Sequence, residues 1–280
     1  MIAQNFEYTR AKTVDEALAL LAAGNAKILA GGMSLVPLMK LRLAAPEHLI
    51  DVARIPELNY IREESGELRI GATVTHYQLE SSPVVRSRCP LLAETASHIG
   101  DPQVRNRGTI GGSVAHADPA ADYPAALLAL ETKVVIAGPG GNRTTSFVDF
   151  VVETFTTVLE PGEIVREIVV PIQPANEGSS YQKAVQPASG FAVVGIAARV
   201  RKQSGRIAEA RIGVTGLGPR AYRATNVEQA LLDGNIQHAV ALIGEGIEAN
   251  NDLYASGDYR KHLARVYAMR AVTIALSRAQ

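Results

Sequence analysis

Two short glycine-rich segments contain the residue types best suited to binding a phosphate. The first, residues 30–35, reads AGGMSL, and the second, residues 108–113, reads GTIGGS. Adjacent glycines allow positive φ angles and a close approach of the backbone to a ligand. Successive N–H groups in such a turn, followed by the N-terminus of a helix, bind anions. The hydroxyls of Ser34, Thr109 and Ser113 add further donors.

Two segments of this kind predict a site that holds the two phosphates of a dinucleotide from opposite sides. The alternative is that each Gly-Gly pair is only a tight turn, and the sequence by itself leaves both interpretations open. No GxGxxG follows a predicted strand, and no GxxxxGK[ST] occurs. The sequence therefore predicts neither a Rossmann NAD site nor a P-loop.

Polar residues follow the second segment closely. Asp118 before Pro119 is typical of a helix N-cap with proline at the first helical position. Asp122 would then lie in the first turn, as a candidate acceptor for ligand hydroxyls or an amine. Lys183, on a predicted strand, is either a surface lysine or a contact to a ligand carbonyl. The basic segment 101–107 is predicted as a polar loop that faces solvent, a phosphate or a partner protein.

Neither a metal site nor a catalytic nucleophile is predicted. The six histidines form no HxxxH or HExxH motif, and no GxSxG motif occurs. The single cysteine, Cys89, precedes Pro90 and has no evident base beside it, so we expect a small buried hydrophobe. One cysteine also excludes an intrachain disulfide and an iron–sulfur cluster held by this chain alone.

The composition is that of a globular protein. Of 280 residues, 47% are hydrophobic and 20% charged, with 28 basic and 28 acidic side chains and zero net charge. These values exclude wholesale disorder, a collagen-like fibre and a coiled coil. They also offer no general attraction for nucleic acid or anionic lipid. The amino terminus lacks signal-peptide features, and no apolar run approaches a membrane span, so a cytoplasmic protein is expected.

Periodicity and turn residues predict an α+β fold in two domains. Residues 1–175 form the first domain, with lobes at 1–55 and 56–175, and residues 176–280 form a smaller domain with an antiparallel sheet and helices. In the first domain the predicted elements are a helix at 14–23 capped by Thr13 in a capping box with Glu16, strands at 27–30 and 48–52 with crossover connections, a helix at 35–43, hairpins around Ser65-Gly66 and residues 138–141, a helical stretch at 84–98 broken at Pro90, and a strand at 164–170. A linker is predicted at 173–180. The second domain is predicted to contain strands at 191–200 and 206–213 and helices at 227–232 and 263–276.

Several motifs resemble one protein family. Residues 30–38 resemble the first FAD loop of the flavoprotein (medium) subunits of molybdenum hydroxylases, such as aerobic carbon monoxide dehydrogenase and xanthine dehydrogenase. Residues 103–122 resemble the second loop, and segments 161–165 and 181–183 follow in the same order. The resemblance covers essentially the whole chain. It implies a two-lobed, PCMH-type (vanillyl-alcohol-oxidase-like) FAD-binding domain followed by a C-terminal α+β domain.

The resemblance also implies the residues that contact FAD. Backbone N–H groups of 30–34 and 109–113 would hold the pyrophosphate, and Asp122 would bind the hydroxylated part. Val165 and Lys183 would lie beside the flavin, with Phe191 near its ring, although an apolar strand residue is a core residue by default. The implied cofactor-binding residues are Leu29, Ala30, Gly31, Gly32, Met33, Ser34, Leu35, Thr109, Gly111, Gly112, Ser113, Asp122, Val165, Lys183 and Phe191.

Two positions depart from the pattern of carbon monoxide dehydrogenases. Met33 replaces their histidine and Ser113 replaces their asparagine. Both positions mostly present backbone to the ligand. The departures therefore bear on the substrate rather than on FAD binding.

The implied role is that of an FAD-carrying electron-transfer subunit. A partner with a molybdenum–pterin cofactor would hydroxylate the substrate, and another with two [2Fe–2S] clusters would relay the electrons to FAD. No residue of this chain is then expected to be catalytic. The alternatives are a ligand-binding or scaffold protein of the same fold without a redox role, and a stand-alone FAD oxidase, for which the sequence offers no base.

Overall fold

The computed structural model describes residues 2–280, which contain the fourteen strands β1–β14. In chain order they are β1 (Glu7–Arg10), β2 (Ala26–Leu29), β3 (His48–Asp51), β4 (Ile61–Glu64), β5 (Glu67–Gly71), β6 (Lys133–Gly138), β7 (Gly141–Ser146), β8 (Val151–Glu153), β9 (Thr156–Thr157), β10 (Ile164–Pro171), β11 (Glu177–Val185), β12 (Ala192–Gln203), β13 (Arg206–Thr215) and β14 (Tyr222–Arg223).

Twelve α-helices, α1–α12, connect or cover these strands within the described residues. They are α1 (Val14–Leu21), α2 (Leu35–Lys40), α3 (His76–Ser81), α4 (Pro83–Arg88), α5 (Pro90–Ser97), α6 (Pro102–Arg107), α7 (Ile110–His116), α8 (Tyr123–Ala129), α9 (Phe147–Phe150), α10 (Thr225–Leu231), α11 (Ile236–Ala241) and α12 (Gly257–Arg278).

The first sheet has the order β1-β3-β2, and both outer strands pair with β3 in parallel. This confirms the predicted crossover connections. Thr13 caps α1, because its hydroxyl accepts from the Glu16 N–H at 3.1 Å. The Glu16 carboxylate accepts from the Lys12 N–H at 2.7 Å, so the predicted capping box with Thr13 is wrong in its second half. Strand β2 ends at Leu29 and leads directly into the first glycine segment.

The second sheet has the order β4-β5-β10-β6-β7, with antiparallel pairs. Both predicted hairpins are confirmed. Ser65 and Gly66 have φ angles of 52° and 79°. Positive φ at both central residues is what a two-residue type I′ hairpin turn requires. The helical stretch at 84–98 divides into α4 and α5 at Pro90, which has no N–H to continue a helix. Cys89 is fully buried there, as expected, and burial raises its pKa to about 12.

The prediction of a linker at 173–180 is wrong in its second half. Strand β11 begins at Glu177, and Ser179 and Ser180 pair with Arg199 and Ala198 of β12. Both serines are buried. Their backbone groups are satisfied by the neighbouring strand, which the polar composition of the segment does not reveal.

Several further helices were not predicted, among them α3, α6, α9 and α11. Residues 102–107 form α6 rather than a loop, because the Asp101 carboxylate accepts from the Val104 N–H at 2.8 Å and caps the helix. Helix α11 lies between the two predicted C-terminal helices.

The third sheet has the order β11-β12-β13-β14, and α12 covers one of its faces. Helix α8 packs against β12 and β13, and each of its residues is buried. The contact is close: a Cβ at Gly213 would lie 1.9 Å from the Ala125 carbonyl oxygen. This contact fixes α8 against β13. Among the helices described, none combines the length and the hydropathy needed to cross a bilayer.

An ionic cluster holds the other end of α8 on the same sheet. Glu131 has a left-handed backbone, with φ of 55°. Its carboxylate lies 3.5 Å from Arg199, 3.2 Å from Arg211 and 2.9 Å from Arg223. Since these three arginines lie on β12, β13 and β14, the cluster spans the sheet and fixes the orientation of the helix.

Candidate functional site

The two glycine segments, which are distant in the sequence, are in direct contact. A Cβ at Gly31 would lie 2.2 Å from the Arg107 carbonyl oxygen and 2.8 Å from the Gly108 Cα. Only glycine fits there, because the neighbouring atoms belong to the backbone. The fold therefore places the first glycine segment against the start of the second.

The first segment has donors to offer a ligand. Within residues 2–280, none of the backbone N–H groups of Gly31, Gly32, Met33 and Ser34 donates a hydrogen bond to another residue. Gly32 has φ of 76°, which turns this part of the backbone. Free N–H groups on a turned backbone are the donors that an anion-binding nest provides.

The second segment differs from our expectation. The N–H groups of Ile110 and Gly111 donate to Val74 and Ala72 at 3.0 and 2.9 Å, and that of Ser113 donates to the Thr109 carbonyl oxygen at 3.0 Å. The Gly112 N–H donates to the Thr109 hydroxyl at 3.1 Å. These groups fold the start of α7. The donors left for a ligand on this segment are the Thr109 N–H and the hydroxyls, rather than the predicted row of backbone N–H groups.

His76 connects the second glycine segment to α8. The His76 backbone N–H donates to the Gly108 carbonyl oxygen at 3.0 Å. A Cβ at Gly108 would lie 2.4 Å from Nε2 of the His76 ring. Its Nδ1 atom lies 3.0 Å from the Tyr123 hydroxyl. Burial, with a smaller effect of the positive charge of Arg105, lowers the pKa of His76 to about 4. The ring is therefore neutral at pH 7.

The lowered pKa of His76 predicts that the free energy of unfolding depends on pH. Below pH 6.5 the unfolded chain takes up a proton at His76, whereas the folded chain remains neutral there down to a pKa of about 4. The free energy of unfolding should therefore fall as the pH is lowered through this window, by about 2 kcal/mol between pH 7 and pH 5. Urea denaturation at both pH values measures the loss. The His76→Gln variant should lose about 2 kcal/mol less over the same interval, and an equal loss would contradict the assignment.

Asp122 and Lys183 form a buried ion pair. The Lys183 Nζ atom lies 2.9 Å from Asp122 Oδ1, and their side chains are only 2% and 5% exposed. The Tyr181 hydroxyl donates to the same oxygen at 2.6 Å. Burial raises the pKa of Asp122, against the opposing effects of the Lys183 charge and the Tyr181 hydrogen bond. Both contacts use one carboxylate oxygen.

The Lys183 ammonium group has three protein acceptors. Besides Asp122, it donates to the carbonyl oxygens of His98 at 2.6 Å and Gly190 at 2.7 Å. An ammonium group has three N–H bonds, so all its donors are used within the chain. Lys183 thereby holds the loop that precedes Phe191 against the start of α8.

The predicted N-cap role of Asp118 is wrong. Asp118 forms a turn in which its carboxylate accepts from the Ala120 N–H at 2.8 Å. Helix α8 begins later, at Tyr123, so Asp122 precedes the first turn instead of lying in it. Asp122 makes no side-chain cap, because its carboxylate faces Lys183 and Tyr181.

The remaining predicted residues differ in how exposed their side chains are. Met33 and Phe191 are both 41% exposed, so Phe191 is not a core residue. Leu29, on one side of the first segment, and Leu35, on the other, are half-buried. Val165 belongs to the hydrophobic core. The structure thus brings the two glycine segments together and pairs Asp122 with Lys183, whereas Val165 packs in the hydrophobic core.

Sequence reasoning missed His76 and Tyr123, which link these two groups of residues. No motif marks either residue, because an isolated histidine and a tyrosine on a buried helix are ordinary core residues. Arg105 belongs to the basic segment 101–107, predicted to face solvent, a phosphate or a partner protein, and it pairs with Glu80 at 2.8 Å. Within residues 2–280, no three His, Cys, Asp or Glu side chains are grouped so that they would hold a metal ion.

Family comparisons cover nearly the whole chain. Residues 4–173 match the family described as FAD binding domain in molybdopterin dehydrogenase. Residues 179–275 match the family described as CO dehydrogenase flavoprotein C-terminal domain. The predicted fold class, a two-lobed FAD-binding domain with a C-terminal α+β domain, is confirmed.

Individual relatives agree in sequence and structure. The chain is 42% identical to the carbon monoxide dehydrogenase medium chain of Hydrogenophaga pseudoflava, over 99% of both chains. It is 37% identical to the alpha subunit of the 6-hydroxypseudooxynicotine dehydrogenase complex of Paenarthrobacter nicotinovorans, over 99% of this chain and 96% of that one. The solved quinoline 2-oxidoreductase of Pseudomonas putida 86 superimposes with a TM-score of 0.94 at 34% identity, over 100% of this chain and 99% of the other.

The first two relatives are dehydrogenase subunits, and the third comes from the solved structure of an oxidoreductase. Each match covers nearly the whole chain. The glycine segments, the buried Asp122–Lys183 pair and the C-terminal sheet all lie within the matched residues. The chain belongs to the family of FAD-binding medium subunits of molybdenum hydroxylases, which includes the medium chains of carbon monoxide dehydrogenases.

Proposed function

We propose that this chain is the electron-transfer subunit of a three-subunit molybdenum hydroxylase. It would take electrons from the [2Fe–2S] clusters of a small subunit, while a large subunit with the molybdenum–pterin cofactor would act on the organic substrate. Bound FAD supplies one- and two-electron redox chemistry, and the protein binds, orients and tunes it. An external acceptor would then receive the electrons.

The residues of this chain would bind and orient FAD. The free N–H groups of Gly31–Ser34 are suited to the pyrophosphate, and the hydroxyls of Thr109 and Ser113 would add donors from the second segment. The buried ion pair of Asp122 and Lys183 positions the loop that carries Phe191. The other predicted contacts, Leu29, Ala30, Leu35, Gly111, Gly112 and Val165, would complete the site as lining or as close-packed backbone.

The observation that carries this proposal is the contact between the two glycine segments, with unused donors on the first. These N–H groups have no acceptor within residues 2–280, and a pyrophosphate would supply one. If the chain divides into domains near residue 175, as predicted from the sequence, the first domain would bind most of FAD. The C-terminal domain would contribute Lys183 and Phe191 to the same site.

The test is titration of the purified chain with FAD, followed by visible absorption and by melting temperature. We expect a flavin spectrum that remains after desalting, and a gain of about 2.7 kcal/mol in stability when FAD is present at a hundred times its Kd. NAD, which has the same pyrophosphate but no flavin, is the control and should stabilise less. Absence of flavin both from the chain and from the co-purified complex would favour the scaffold alternative.

A further inference from the structure

His98 ends helix α5 next to the buried pair of Asp122 and Lys183, and its ring takes no part in the contacts of that pair. Its carbonyl oxygen accepts from the Lys183 ammonium group at 2.6 Å. Its ring meets the Tyr181 ring edge-to-face, with the centroids 5.7 Å apart. The side chain of His98 is nevertheless exposed. In the part of the chain that the structure describes, neither ring nitrogen hydrogen-bonds to another residue. The imidazole is therefore a free titratable group at the edge of a saturated cluster.

The backbone that follows this ring is held in place from two sides. Arg105 donates to the Gly100 carbonyl oxygen at 3.2 Å. On the other side, a Cβ at Gly190 would lie 3.1 Å from the Gly100 Cα. Since Gly190 leads directly into Phe191, the turn after His98 packs against the loop that is predicted to contact the flavin.

The proposed function requires protons as well as electrons. Reduced [2Fe–2S] clusters deliver electrons alone, whereas a flavin that accepts two electrons also takes up a proton at a ring nitrogen. Proton transfer by a positioned side chain accelerates such a step by about 10²–10⁴-fold. A subunit that receives its electrons from clusters therefore benefits from a proton-donating group beside the flavin.

The other ionisable groups near the pair are not available for proton exchange. Lys183 has an acceptor for each of its N–H bonds. The Tyr181 hydroxyl donates to Asp122, and burial raises its pKa well above the usual value. Protonation of Asp122 would break the ion pair. His76 is buried and neutral at pH 7. Among the described residues of this cluster, only His98 combines free ring nitrogens with access to solvent.

Charges of both signs surround the imidazole. Partial burial lowers the pKa of His98 most, followed by the positive charge of Lys183 on β11. The negative charges of Asp122 before α8 and Glu94 on α5 oppose this shift, and Arg105 on α6 adds to it. Because the net shift is downward, the ring is neutral at pH 7 and can accept a proton from water. Negative charge that arrives beside it would raise its proton affinity.

We propose that His98 supplies the proton that bound FAD takes up when reduced [2Fe–2S] clusters deliver two electrons. The inference rests on the proposed function. A ring N–H bond of the imidazolium breaks, an N–H bond forms on the flavin, and the imidazole then recovers a proton from water. Each of two clusters loses one electron and FAD gains both with one proton, so electrons and protons balance.

Histidine ring NMR of the FAD-loaded chain tests whether the imidazole senses the flavin. The ring nitrogen signals are titrated with pH before and after reduction by dithionite, and the His98→Gln variant assigns the His98 signal. The negative charge on reduced FAD should raise the proton affinity of His98 at least tenfold. His238, an exposed histidine on α11, should titrate identically in both states. Identical titration of His98 in both states would overturn the proposal.

Stopped-flow reduction of the same protein measures the proton transfer itself. Dithionite supplies electrons but no proton, and the loss of visible flavin absorption gives the rate. We expect His98→Ala to bind FAD as the unmodified chain does but to reduce it at least tenfold more slowly. Added imidazole should restore part of the rate in His98→Ala, an effect that a purely structural role would not produce. His238→Ala is the matched control, with an unchanged rate and no response to imidazole.

The remaining outcomes separate this proposal from the proposed function. An unchanged rate in His98→Ala, or a slow rate that imidazole does not restore, would overturn the proposal. Loss of FAD from His98→Ala alone would also overturn it, because the residue would then serve binding. Absence of FAD from the unmodified chain would contradict the proposed function instead.

Discussion

Replacing Gly31 with alanine is expected to remove FAD from this protein. The new methyl carbon would lie 2.2 Å from the Arg107 carbonyl oxygen and 2.8 Å from the Gly108 Cα. Neither neighbour is a flexible side chain, so one of the two glycine segments has to move. Movement of the first segment would carry away the free N–H groups of Gly31–Ser34. We expect at least a tenfold loss of FAD affinity, which corresponds to about 1.4 kcal/mol.

The measurement is FAD titration of the apoprotein, with its unfolding free energy determined in parallel. Overpacking at a buried contact costs about 1–3 kcal/mol of stability, so the Gly31→Ala apoprotein should still fold. Gly140→Ala is the matched control, because a Cβ at that hairpin glycine meets no atom within 4 Å. Gly31→Ala protein with unaltered FAD affinity would show that the contact between the segments does not define the site.

Replacing Asp122 with asparagine is expected to have the largest effect on stability. The Lys183 ammonium group would remain buried, with its side chain 2% exposed, but without the countercharge now 2.9 Å away. Breaking a buried ion pair by removing one partner typically costs about 3–5 kcal/mol. Since Lys183 also holds the Gly190 carbonyl oxygen, we expect weaker FAD binding as well.

Chemical denaturation of the single and double variants checks this prediction. Asp122→Asn combined with Lys183→Met removes both charges and should recover part of the loss, which gives a double-mutant coupling above about 1 kcal/mol. Glu63→Gln is the control, because Glu63 pairs with Arg88 at the surface, with side chains 41% and 51% exposed. Its loss should remain below about 1 kcal/mol. A similar small loss for Asp122→Asn would mean that the buried pair does not stabilise the fold.

Local patterns predicted most of the secondary structure. The two hairpins, the break at Pro90 and the parallel strands after α1 follow from turn residues and short apolar runs, whose effects act over a few positions. The failures have two causes. Strand β11 begins among polar residues because β12, a separate strand, satisfies its backbone. Asp118 and Asp101 both accept a hydrogen bond from a nearby N–H, and their composition does not show which of them forms a turn and which caps a helix.

The sequence by itself determined that this chain has two glycine segments suited to an anion, no metal or nucleophile motif, and the order of motifs found in FAD-binding medium subunits. Only the tertiary structure decided how these parts work together. It placed Gly31 against Gly108, left donors free on the first segment but used most backbone donors of the second, and linked the second segment to α8 through His76. It also saturated Lys183 with three acceptors. The physical reason is that glycines and caps fix the backbone locally, whereas free donors, buried charges and close contacts depend on which distant segments fold together.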